Sequence, residues 1–102
     1  GFQLLKKLQK QKDLHLERRP YTRIEHHTAI IVSFDVPERL RRKRDWLRDI
    51  LKNIGFTMVQ KSVWIGKNKI PEELLKDFRR YKLLRHIEIF EISKSGTLKK
   101  IR

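Results

Sequence analysis

The chain predicts an α+β sandwich, one antiparallel sheet carrying two helices on a single face. Three observations predict it. AIIVSFDV, at residues 29–36, alternates with the two-residue period of a half-buried strand. The segments that follow Pro37 and Pro71 return apolar residues every three or four positions, which is helical spacing. The β-rich runs TMVQKSVWI and HIEIFEI then follow one helix each. The order is β-α-β-β-α-β, the split β-α-β or ferredoxin-like arrangement. Right-handed crossovers put both helices on the same side of such a sheet.

Residues 1–28 form an N-terminal helix and connector in this reading. Leu4, Leu5 and Leu8 make one short apolar stripe, too brief to be stable alone and expected to dock on the body or on a preceding domain. ERRPYTRIEHHT, from Glu17 to Thr28, shows no sustained period and reads as a strap over the surface. In the first strand Ile30, Val32, Phe34 and Val36 share one face, and Ile31, Ser33 and Asp35 the other. That second face is mixed in polarity and suits a second subunit better than bulk water.

Pro37 cannot donate to a ladder but has the φ of a first helical turn, and Glu38 suits the positive end of a helix dipole. The helix runs to about Ile54 with Leu40, Leu47, Ile50, Leu51 and Ile54 as its stripe, and Gly55 stands where a left-handed C-cap belongs. Arg41, Arg48 and Lys52 line one flank; Asp45 and Asp49 are spaced to pair with Arg48 and Lys52. Trp46 lies off the stripe and is expected to pack against the strap. Alternation in TMVQKSVWI falters at Gln60, Lys61 and Ser62, so a bulge, a bend or a tight hairpin divides it. Gly66 to Lys69 reads as a turn. Pro71 opens the second helix with Glu72 and Glu73 in its first turn; Leu74, Phe78 and Tyr81 face inward with Leu75 beside them. In the last clear strand Ile87 and Ile89 oppose Phe90 and Ile92. The domain proper therefore spans residues 29–92, and 93–102 is a basic tail or edge strand.

Composition narrows the function. The 102 residues carry 26 Lys and Arg against 12 Asp and Glu, a formal charge of +14. An excess of that size repels itself unless a polyanion offsets it, so nucleic acid is the implied partner. A membrane is not, because no basic helix has the wide apolar face needed to embed. Cys is absent, which excludes disulfides, thiolate zinc sites and cysteine nucleophiles. No apolar run approaches a membrane span and no signal-peptide pattern is present, so a cytoplasmic location is expected. The chain begins with Gly1 rather than Met, and a piece of a longer protein is expected.

Phe34 to Gly66 carries a recognisable set of motifs: F-D-V-P-E at Phe34 to Glu38, Gly55-Phe56, and Gln60 with Ser62 to Ile65. In this order and separation they resemble the central Cas2-like domain of PaaX-type transcriptional regulators, closely to Gly66 and weakly to near Ile92. The same unit is similar to CRISPR-associated Cas2 proteins, which share the aspartate at Asp35 and the Q-x-S-V segment. Cas2 chains begin at the first strand, whereas nearly thirty residues precede it here, and Pro37-Glu38 and Trp64 match the PaaX side better. The resemblance implies a homodimer joined through its sheets. It also implies a winged helix-turn-helix upstream, for which residues 1–28 are too short.

Three site readings follow. For phosphate binding the candidates are Arg39, Arg41, Arg42, Arg44, Arg48 and Lys52 on the first helix and Arg79 and Arg80, with Lys76 and Lys82, on the second. The plainer alternative is a solvated charged face with weak ion pairs. For metal chemistry the candidate is Asp35: a twofold axis beside it would pair two carboxylates around Mg²⁺ or Mn²⁺, the mechanism that Cas2-type nucleases imply. Its plainer role is to cap the following helix. No cofactor is expected outside that nuclease alternative, and adjacent His26 and His27 point to opposite faces, which disfavours a shared metal. Phe34, Trp64 and Phe90 could stack on RNA bases, but the basic-Gly-aromatic motif is missing and core packing is the plainer role.

Overall fold

The computed structural model describes Leu16 and residues 21–101. The predicted N-terminal stripe of Leu4, Leu5 and Leu8 lies outside them. Five strands and two helices follow in order: β1 (Glu25–Phe34), α1 (Arg41–Asn53), β2 (Thr57–Gln60), β3 (Val63–Asn68), α2 (Glu72–Arg80), β4 (Ile87–Ile92) and β5 (Leu98–Lys100). Short 3₁₀ turns precede α1 at Glu38–Leu40 and β4 at Leu84–His86. The sheet order is β2-β3-β1-β4-β5, with every neighbouring pair antiparallel. Leaving aside β5, this is the predicted ferredoxin-like order, with β1 at the centre.

Strand parity decides where the core sits. Ile30, Val32 and Phe34 on β1, Trp64 on β3 and Ile87 and Ile89 on β4 are buried, and register makes them one face. Trp46, Leu47, Ile50 and Leu51 of α1 and Leu74 and Phe78 of α2 complete the same cluster, so both helices cover that face. Trp46 is buried between the helices. Its ring stands edge-on to Phe78 at 6.1 Å and to Tyr81 at 5.3 Å, welding the two helices together. The segment before β1 contributes elsewhere: the Tyr21 hydroxyl donates to buried Asp77 of α2.

Three boundaries differ from the sequence reading, each for a local reason. β1 begins at Glu25, four residues early. Thr28 is buried in phase with Ile30, but the residues there are polar and a register shift lies between Glu25 and Ile30, so hydropathy hides the strand. The predicted turn at Gly66–Lys69 is instead strand as far as Asn68, because Asn68 pairs with Glu25 and the Lys69 N–H donates to the Ile24 carbonyl at 2.8 Å. The helix after Pro37 opens as a 3₁₀ turn, for proline has no side chain to cap it and i→i+3 bonds satisfy the first carbonyl. The Thr57–Ile65 run splits into a hairpin at Lys61-Ser62, and Leu98–Lys100 supplies the far edge strand.

One glycine is fixed by proximity. A Cβ on Gly66 would stand 3.2 Å from the Gly55 carbonyl oxygen and from Phe56 Cα, so a side chain there would require the α1–β2 turn to give by a few tenths of an ångström. Gly55 itself has φ +102, the left-handed cap predicted for it. The matching position after α2 is Lys82, at φ 58, where the Leu83 N–H reaches back to the Phe78 carbonyl.

Candidate nucleic-acid interface

α1 owes its orientation to its buried stripe, which leaves the basic residues to the flanks and outer surface. Arg39, Arg41 and Arg42 are exposed where the 3₁₀ turn meets α1. With Glu38, Leu40 and Lys43 they line a shallow depression of about 490 Å³. The first N–H groups of α1 lie at this end, so the helix dipole adds to the positive potential there. Lys52 is exposed near the other end of α1; Arg79 and Arg80 are exposed at the end of α2.

Partners divide the eight candidates. Arg44 sits 3.0 Å from Glu38 with its side chain only 21% exposed. Arg48 is held three ways: its Nε donates to the Lys61 carbonyl at 3.0 Å, its guanidinium lies 3.5 Å from Asp45, and it rests 6.0 Å above the Phe34 ring. Both are committed to the fold. Arg41 stays 68% exposed, with Glu38 at a loose 3.7 Å, and Arg80 lies 5.7 Å from the Tyr81 ring. Arg39, Arg42, Lys52 and Arg79 make no side-chain hydrogen bond or ion pair among the described residues. Lys43, which sequence reasoning passed over, donates from Nζ to the Tyr81 carbonyl at 2.9 Å and so serves the helix pair rather than the surface.

Asp35 is exposed at the end of β1. Its backbone N–H donates to the His86 carbonyl at 2.8 Å, and no side-chain cap bond forms at Pro37, so the capping role does not hold. The pairing brings His86 alongside Asp35 across 51 positions of sequence, a proximity with no sequence signal. Among the described residues no three His, Asp or Glu side chains gather as a metal site. A cation at Asp35 would therefore draw its further ligands from outside the described residues. Phe34 and Trp64 are buried in the core, which leaves Phe90 as the one half-buried member of the three aromatic candidates.

The opposite side of the sheet has another character. Register aligns Ile31 with Ile65 and Phe90, Ser33 with Val63 and Glu88, and Ile92 with Leu98. All of the apolar ones are only partly covered, and Leu98 is 53% exposed. The Glu88 carboxylate meets Lys100 at 3.4 Å on this face. None of the eight candidate cations lies there. Nor is any helix of the described residues long and apolar enough to cross a membrane.

Neither a curated protein nor a solved structure matches the chain. A family model does, over residues 30–101, from the middle of β1 to the end of β5. That stretch takes in every strand, both helices and all eight candidate cations, and its description is the PaaX protein central Cas2-like domain. This chain belongs to the PaaX central Cas2-like domain family.

Proposed function

We propose that the chain is the dimerising, DNA-backbone-binding domain of a PaaX-like transcriptional regulator. One observation carries the reading: cations without partners among the described residues, Arg39, Arg42, Lys52 and Arg79, stand on the helical side, while the opposite sheet face presents partly covered Ile31, Ile65, Phe90 and Ile92 beside the Glu88–Lys100 ion pair. Two protomers of charge +14 repel each other less through that largely apolar face than through their basic helical sides, which makes a second copy its fitting occupant. The helical side then stays open to phosphate. Such contacts carry no base preference, so sequence reading belongs to another domain.

The test is a titration of a short duplex at low salt, with and without Mg²⁺ or Mn²⁺, together with sedimentation of the protein alone. The reading expects a dimer, salt-sensitive binding and an intact duplex. Cleavage lost in Asp35→Asn would establish the rival, a Cas2-type metal-dependent endonuclease with Asp35 of both copies at the metal. Absence of binding to any polyanion in dilute buffer would leave a protein–protein module whose charge serves solubility.

A further inference from the structure

We infer that the dimer binds two duplexes at once, one on each outer surface, and so bridges separate stretches of DNA. The inference rests on the function proposed above and adds what the layer order imposes. Both helices cover one face of the sheet, and the candidate cations lie on that side. Joining two copies through their open faces turns the helical layers outward, back to back. Stacked sheets lie about 10 Å apart, and a helix adds about 10 to 12 Å on either side. The two basic surfaces are thus separated by roughly 30 Å of protein.

A single short duplex cannot serve both surfaces. DNA has a persistence length of about 150 bp, and bending 20 to 30 bp through only 40 to 90° already costs on the order of 1 to 6 kcal/mol. Reaching from one outer face to the other requires a reversal of direction, and elastic cost climbs with the square of the angle. Two duplexes, by contrast, hardly sense each other across the dimer, since screening at physiological salt acts over about 8 Å. One duplex per protomer is the arrangement with the lower free energy. A clamp on one duplex would need cations from both copies on a common surface, and back-to-back packing denies it.

The experiment fixes a biotinylated duplex of about 20 bp on beads and supplies a second, fluorescent duplex of the same length, too stiff to fold back. Protein added at about 0.1 M salt, where screening acts over about 10 Å, should retain fluorescence on the beads, and a large excess of protein should abolish retention by giving each duplex its own dimer. Sedimentation of protein with the short duplex should show two duplexes per dimer. Ile65→Glu, which places a charge in the sheet face, should end both dimerisation and capture. A dimer that binds duplex but captures none, or sediments with a single duplex, overturns bridging and leaves the proposed function standing. Capture that survives in monomeric Ile65→Glu also overturns it. A wild-type chain that binds no duplex, or stays monomeric, removes the proposed function and bridging together.

Discussion

Exchanging Arg39, Arg42 and Lys52 for glutamine separates phosphate-binding cations from structural ones. Six of the eight candidates are exposed, whereas Arg44 and Arg48 are half-buried and held by Glu38, Asp45 and the Lys61 carbonyl. Each phosphate neutralised contributes about 0.9 to the slope of log K against log salt, so six contacts give a slope near −5.4. A fourfold rise in salt then weakens wild-type binding by roughly 2,000-fold. With three contacts left the slope falls to about −2.7, and the same rise in salt costs about 40-fold. Fluorescence anisotropy of a labelled duplex across a salt series reads both slopes. Replacing Arg44 and Arg48 by glutamine should leave the slope near −5.4 and lower thermal stability instead, since it removes their internal partners. Equal slopes for wild type and the triple variant, or a slope that falls just as far in the Arg44 and Arg48 variant, would refute the assignment.

Three stability predictions follow from the packing. Tyr21→Phe removes a hydroxyl that donates to buried Asp77, and a hydrogen bond to a charged acceptor is worth about 1.5 to 3 kcal/mol; at about 4 to 8 °C per kcal/mol, melting should drop by roughly 6 to 24 °C. In Gly66→Ala the new methyl meets the backbone of Gly55 and Phe56 at 3.2 Å and forces that turn to give, so denaturant melts should show a loss of about 1 to 3 kcal/mol. Lys82→Gly should act in the other direction, raising the urea midpoint by up to about 1 kcal/mol in stability, because a side chain at φ 58 is strained where glycine is not.

Much of the architecture was written in local chemistry. Alternation in AIIVSF, the stripes of α1 and α2, the two prolines that open helical segments and the glycine at Gly55 each name an element without reference to any other residue. Their order then limits the topology, because crossovers have one hand. The excess of Lys and Arg suggested the class of partner proposed above in the same way, as charge is a property of composition. The motif set around Asp35 and Gln60 pointed to the family that the match over residues 30–101 establishes.

Other features were decided only when distant segments met. Polar residues carry β1 back to Glu25 because Asn68 and Lys69 offer backbone partners there. Trp46 joined the core because α2 brought Phe78 and Tyr81 to it, and Tyr21 found Asp77 across 56 positions. Among the cations the sequence shows equal charges, and the only local mark on Arg48 is the spacing that pairs it with Asp45. The distinction from Arg42 arises when the β2–β3 turn presents the Lys61 carbonyl to Arg48 and leaves Arg42 exposed to water. Charge sign is set residue by residue, whereas availability depends on which acceptors the folded chain brings within reach.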